Sequence, residues 1–222
     1  MNNRYQLLIF DWDGTLMDSE ATIIACMQQA IVEENIEARS YEEIRDIIGL
    51  GLEEAVQALY PNADNYLVNT LVNHYRAAFF SDDMPQSQLF SGAYNAIETL
   101  HEAGFMLAIA TGKSRRGLDK ELEATNLEQF FPITRTAEET FSKPHPMMLD
   151  EIVVDYNVEI ENALMIGDSE YDLQMANNFG MNSLAVDCGV HGRERLFEQN
   201  PVGFVSMVSE IPDWLSSEAN ID

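Results

Sequence analysis

The sequence predicts a doubly wound, Rossmann-like α/β sheet of mostly parallel strands, interrupted after its first strand by a helical insertion. After Pro85, short apolar runs alternate with stretches at helical spacing, as parallel strands joined by helical crossovers require. Residues Gln6 to Phe10 form an apolar run that ends at an acidic turn, as a strand buried on both faces would. Between about Asp18 and Phe80 the apolar residues recur at helical spacing with no convincing strand, which reads as a four-helix bundle. The expected division is therefore 1–17 with 85–222 as the α/β core, and 18–84 as a helical cap.

Glu20 to Glu34 reads as the first helix of the insertion. Ser40 followed by Glu43 makes a capping box for a second helix reaching Ile48. Gly49-Leu50-Gly51 breaks that helix, Leu52 to Leu59 forms a third, and Pro61 stops it before a fourth from Ala63 to Phe80. In the core, helices are expected at Gly92–Ala103, Arg115–Thr125, Met147–Tyr156 and Ser169–Phe179. Strands are expected at Phe105–Ala110, Pro132–Thr136, Ala163–Ile166, Ser183–Val186 and, at the edge, Gly203–Val205.

A chain of 222 residues with 46% hydrophobic content can bury one sizeable core and a smaller module. No window approaches the ~18 consecutive apolar residues of a membrane span. The net charge of −26 makes nucleic acid and anionic membranes poor partners. Asp11, Asp13 and Asp18 interrupt any secretory-signal pattern, and Cys26 and Cys188 lie in no redox or metal motif. Two reduced thiols in a cytoplasmic protein are expected.

Functional groups of doubly wound sheets gather beyond the carboxyl ends of the strands. Here those ends carry Asp11-Trp12-Asp13-Gly14-Thr15, Thr111-Gly112-Lys113 and Gly167-Asp168-Ser169, with Ser142-Lys143-Pro144 in a loop before a helix. Asp11, Asp13 and Asp168 crowded together call for a cation, and oxygen-only ligands suit Mg²⁺. Lys143, the Thr111 hydroxyl and the following amide would cradle a phosphoryl group. Gly14 would let the backbone turn against the metal, and Gly112 would let phosphate approach. Taken singly, Asp-Gly is a turn, Thr-Gly a strand end and Lys-Pro a helix lead-in; their shared order carries the signal.

These segments, with Asp168-Ser169-Glu170-Tyr171-Asp172, resemble the four motifs of the haloacid dehalogenase superfamily, and the resemblance spans essentially the whole chain. Within it the chain looks like the phosphoglycolate phosphatase and β-phosphoglucomutase branch. The resemblance implies that Asp11 attacks phosphorus to form an aspartyl-phosphate. Asp13 would protonate the leaving alkoxide and later accept a proton from water. It implies Mg²⁺ held by Asp11, the Asp13 carbonyl and Asp168, with Asp172 orienting a metal-bound water or Lys143. Thr111 and Gly112 would hold the phosphoryl group, and Lys143 would neutralise it. Asp18 and Ser19 match the family's hinge, although helix capping accounts for them equally. Relatives active on phosphoglycolate often carry Asn where this chain has Gly112.

Related caps read substrate near the loop matching Gly49-Leu50-Gly51, so Arg45, one turn before it, is a candidate substrate contact, with a solvated helix face the competing reading; Lys113, just after Thr111-Gly112, is another candidate. His145 could line the pocket, whereas His74, His101 and His191 have no partner pattern. The expected activity is a Mg²⁺-dependent phosphatase acting on a small phosphorylated metabolite, such as a phosphoglycolate-like ester. A β-phosphoglucomutase-type isomerase is the alternative. A dehalogenase would need neither Asp13 nor Mg²⁺, a phosphonate-cleaving lyase would need a cap lysine, and an idle scaffold would not keep every catalytic group. The sequence names neither substrate nor oligomeric state.

Overall fold

The computed structural model describes residues 4–218. In chain order its strands are β1 (Leu7–Phe10), β2 (Met17–Asp18), β3 (Gln88–Leu89), β4 (Met106–Thr111), β5 (Ile133–Thr136), β6 (Ala163–Gly167), β7 (Asn182–Val186) and β8 (Gly203–Val205). Six of them form one sheet in the order β5-β4-β1-β6-β7-β8, with every neighbouring pair parallel. The chain builds outward from β1 on one side, then crosses back to continue on the other. The strand order therefore reverses beside β1, which is where such sheets open a crevice at their carboxyl edge.

Strand periodicity explains the two layers. Leu8 and Phe10 face one cluster, with Leu107, Ile109, Leu164 and Ile166 beside them. Leu7 and Ile9 face the other, with Ala108, Ala110, Ala163 and Met165. Helices α5 (Ala93–Glu102), α6 (Arg115–Thr125) and α10 (Ile211–Glu218) cover the first face. Helices α7 (Met147–Tyr156) and α8 (Glu170–Phe179) cover the second. Apolar burial of about 25 cal/mol per Å² on both faces is what makes these strands continuous apolar runs.

Helices α1 (Glu20–Glu34), α2 (Tyr41–Asp46), α3 (Leu52–Leu59) and α4 (Asn65–Phe79) surround a separate apolar cluster that includes Met27, Ile44, Val56 and Leu71. The capping box is formed as expected: Glu43 N–H donates to Ser40 Oγ at 3.2 Å, and Ser40 N–H donates to Glu43 Oε2 at 2.7 Å. Helix α4 starts later than its apolar pattern suggests, because Asp64 takes the N-cap and accepts from Leu67 N–H at 2.9 Å. Helices α1, α6 and α7 each end on an asparagine in the left-handed conformation, Asn35, Asn126 and Asn157.

Three features lie outside the sequence expectations. Strands β2 and β3 pair antiparallel where the chain enters and leaves the helical block. They have two residues each, too few to show a period. Helix α9 (Arg193–Phe197) spans five residues, and α10 carries Pro212 in its first turn, where the missing N–H is harmless.

Candidate active site

The parallel register brings the ends of β1, β4 and β6 to one edge. Asp11 follows β1 and its N–H donates to the Ile166 carbonyl of β6 at 2.9 Å, which ties the two strand ends together. Thr111 closes β4 and Asp168 follows β6. Asp11, Thr111, Lys143, Asp168 and Asp172 are all about fully buried, none more than 1% exposed. Lys143 Nζ lies 2.5 Å from Asp11 Oδ1 and 2.6 Å from Asp172 Oδ1, an ion pair on each side. Thr15 donates to Asp168 Oδ1 at 2.7 Å and Val190 N–H to Asp168 Oδ2 at 2.8 Å. Asp172 Oδ2 accepts from Ser169 N–H and Oγ, so the residue that caps α8 also fixes the Lys143 partner. Gly14, at φ +87°, is needed here: a Cβ would stand 2.3 Å from Asp168 Oδ2.

One oxygen in this set lacks a protein partner. Asp11 Oδ2 is buried with no hydrogen bond. Asp11, Asp168 and Asp172 each offer a carboxylate oxygen, and these lie within 4.8 Å of one another. With Lys143 they leave two uncompensated negative charges, which one divalent cation balances. Burial, and then the Asp172 charge, raise the Asp11 carboxyl well above its ordinary range despite Lys143. The same two causes raise Asp168 to about 7, against the lowering effect of the Thr15 and Val190 donors. Burial opposes the Lys143 charge, but Asp11 and Asp172 more than offset it and raise the ammonium. An all-oxygen, buried and over-negative donor set fits a hard cation.

Asp13 belongs to a second network. Lys113 Nζ donates to Asp13 Oδ1 at 2.8 Å and Oδ2 at 3.0 Å, and lies 3.3 Å from Glu121 Oε2. Trp12 Nε1 donates to the same Glu121 oxygen at 2.5 Å. Burial opposes the Lys113 charge, and the two carboxylates hold it up to about 12. Burial, opposed chiefly by Lys113, raises Glu121. Lys113, expected to reach for substrate, thus has its ammonium committed to Asp13 and Glu121.

The cleft above this floor is roofed by the helical block. Asp11, Asp13, Thr111, Gly112 and Lys113 line it from below; Ile23, Met27, Ile48, Leu52, Tyr75 and Phe79 are among the residues that line it from above. Gly112 serves the roof rather than phosphate approach alone, since a Cβ there would stand 2.3 Å from the Leu50 carbonyl oxygen. Gly51 N–H donates to Ser142 Oγ at 2.7 Å, a second seam between loop 49–51 and the floor.

The structure does not bring Arg45 to the cleft. Its guanidinium pairs with Glu20 at 3.1 Å and donates to the Gly189 carbonyl at 3.0 Å. His145 is exposed and its Nδ1 accepts from Met147 N–H, capping the turn into α7. His191 is buried and its Nδ1 accepts from Glu170 N–H. Ser19 sits at the start of α1 but makes no side-chain cap bond. Thr15, Glu121 and Trp12 were not assigned roles from sequence. Glu121 left a signal, standing among Leu118, Leu122 and Thr125 on the inward stripe of α6.

Comparison with known proteins agrees with this geometry. A family model described as haloacid dehalogenase-like hydrolase matches residues 8–186. The chain belongs to that family. A protein of Dickeya dadantii (strain 3937), named "Probable phosphatase IndB", is 31% identical over 92% of this chain and 91% of its own. A phosphoglycolate phosphatase of Vibrio parahaemolyticus is 28% identical over 93% of this chain and 94% of its own. The crystal structure of a hydrolase from Pseudomonas syringae shares the fold with a TM-score of 0.87 at 21% identity, covering 96% of this chain and 98% of that one. Among the described residues of this family member, no helix is long and apolar enough to cross a membrane.

Proposed function

We propose that this chain is a Mg²⁺-dependent phosphatase that hydrolyses small phosphate monoesters through an aspartyl-phosphate on Asp11. The observation that carries the reading is the unpartnered, buried Asp11 Oδ2 at the floor of a cleft, beside an over-negative carboxylate cluster and a fixed ammonium. The names of the curated relatives point the same way. Asp11 would attack phosphorus in line, and the ester oxygen would depart as an alcohol after taking a proton from Asp13. Water would then attack the acyl phosphate, giving its proton to Asp13 and releasing inorganic phosphate and the Asp11 carboxylate. Thr111 and the Gly112 amide would hold the equatorial oxygens, and Lys143 would offset their charge.

Asp11, Asp168, the Asp13 carbonyl and, through its neighbours, Asp172 would hold Mg²⁺. When bound, the ion supplies charge that lets the Asp11 carboxylate meet a phosphate dianion. Asp172 is already committed to Lys143 and Ser169, so its part is to orient rather than to ligate first. We assign residues 18–84 to a cap hinged at the β2–β3 ribbon, where both crossings meet. A phosphomutase would have to seat a second phosphoryl group against the cap, and no cap cation is unpaired there.

The test is rapid-quench mass spectrometry with an ester substrate. A phosphoryl group on the Asp11 peptide, seen with Mg²⁺ and lost in excess chelator, is the expected result. Undiminished turnover in chelator, or phosphate on another residue, would overturn the reading. Because Asp168 is raised to about 7 without an ion, metal uptake near neutral pH should release protons. Calorimetry in buffers of different ionisation enthalpy reads that release.

A further inference from the structure

We propose that the leaving group this site accepts is a compact apolar alcohol, of the size of a single ring or a short branched chain, and not a second anion. The inference rests on the phosphatase reading above and concerns what occupies the roof of the same cleft. The cap lines that roof mainly with apolar side chains, Ile23, Met27, Ile48, Leu52 and Phe79 among them, together with Tyr75 and one cation, Arg76, whose guanidinium pairs with Glu138. Burial raises the Tyr75 phenol well above its ordinary range, so the cap's hydroxyl is a neutral group. The cavity is small, about 70 Å³, on the scale of a few waters at ~10–15 Å³ each, which favours a compact leaving group.

The cap has few cations, and all are engaged. Arg39 pairs with Glu37 and Glu43 and stacks on the Tyr60 ring; Arg45 pairs with Glu20; Arg76 pairs with Glu138. His74 contacts Glu33 and Glu34. From the core, Lys113 and Lys143 are each held between two carboxylates. A substrate carboxylate in the roof would enter a mostly apolar lining whose one cap cation, Arg76, is already held by Glu138, inside a chain of net charge −26. Desolvating a charge under those conditions costs several kcal/mol. An alkyl or aryl group in the same place gains from every apolar contact it makes.

The experiment compares initial rates on benzyl phosphate, isopentyl phosphate, phosphoglycolate and glycerol phosphate at saturating Mg²⁺, with p-nitrophenyl phosphate as the activity control. Benzyl and isopentyl alkoxides are no better leaving groups than glycolate, so a preference between them reports binding. The expected kcat/KM is about tenfold or more higher for the two apolar esters than for phosphoglycolate, the range a hydrophobic pocket can discriminate. Leu52→Lys, at a half-buried position of the roof, should lower that ratio by about tenfold. Phosphoglycolate hydrolysed as well as the apolar esters would overturn the inference and leave the phosphatase reading standing. Hydrolysis of none of the five with Mg²⁺ would overturn that reading, and this inference with it. If Leu52→Lys fails to fold, the wild-type series alone decides.

Discussion

The floor and the roof of the cleft are built from opposite materials. The floor is carried on the ends of parallel strands and the loop that bears Lys143; it is mostly buried and charged, with Asp11, Lys143 and Asp168 pinned by named partners. The roof comes from four helices and is lined by residues of the kind that fill ordinary cores. Chemistry needs charges at fixed places, so the floor tolerates little change. Selection of a leaving group by contact area needs only shape and apolarity, so the roof can vary without altering the reaction. The seam between them is narrow: loop 49–51 rests on Gly112 and Ser142.

The largest expected effect is on the floor. Asp11→Asn should lower turnover by about 10⁶-fold, the scale of losing a nucleophile. The fold should hold, with thermal stability unchanged or higher, because the substitution removes a carboxylate whose ionised form burial disfavours. Turnover and melting temperature check both halves, and more than a few per cent residual activity would break the assignment.

The seam comes next. Gly112→Ala would press a methyl group towards the Leu50 carbonyl oxygen, 2.3 Å away, and so prop the roof off the floor. A misplacement of that size costs about 100-fold in kcat/KM. Mg²⁺ affinity should not move, since Gly112 touches none of the carboxylate cluster. Loss of metal binding together with activity would show that floor and roof are not separable at this contact.

The same contrast sets how much was legible in the sequence. Strand ends are marked by apolar runs meeting acidic or small polar residues, so Asp11, Thr111, Lys143 and Asp168 could be placed together from order alone. Helix α1 and the Ser40–Glu43 box were legible because their signals are local. Arg45 was not: its fate depends on the Gly189 carbonyl, 144 residues away, which no local pattern encodes. The β2–β3 ribbon was too short to have a period, although it joins the two crossings of the chain. Glu121 was visible only as a charge in the wrong stripe, and its meaning needed Lys113 and Trp12 in space.

Glu121 offers a smaller, sharper probe of the floor. Glu121→Gln keeps an acceptor for Trp12 but removes one of the two carboxylates facing Lys113. Lys113 then turns more fully to Asp13 and ties that carboxylate more tightly away from the leaving oxygen it is proposed to serve. Turnover of an alkyl ester should fall about tenfold, a part of what general acid–base catalysis contributes. Turnover of p-nitrophenyl phosphate, whose leaving group needs little protonation, should change less. Equal losses for both esters would reduce Glu121 to packing.

The smallest effect should fall on the roof's support and spare the chemistry. Ser40 caps α2 through Glu43 N–H, and its own N–H is held by the Glu43 carboxylate, so Ser40→Ala removes one half of a reciprocal pair. Loss of such a cap costs about 1 kcal/mol. Helix α2 contributes Ile44 to the cluster that α1, α3 and α4 share, and among the described residues that cluster includes only Val190 from the α/β layer. The destabilisation should therefore appear as faster amide exchange in α1–α4, with the strands of the sheet protected as before. Turnover at saturating substrate should stay within about twofold, because Ser40 touches neither cleft surface. Faster exchange spread evenly through β1, β4 and β6 would mean that the helical block and the sheet unfold as one cooperative unit, and the contrast between floor and roof would then be one of chemistry alone.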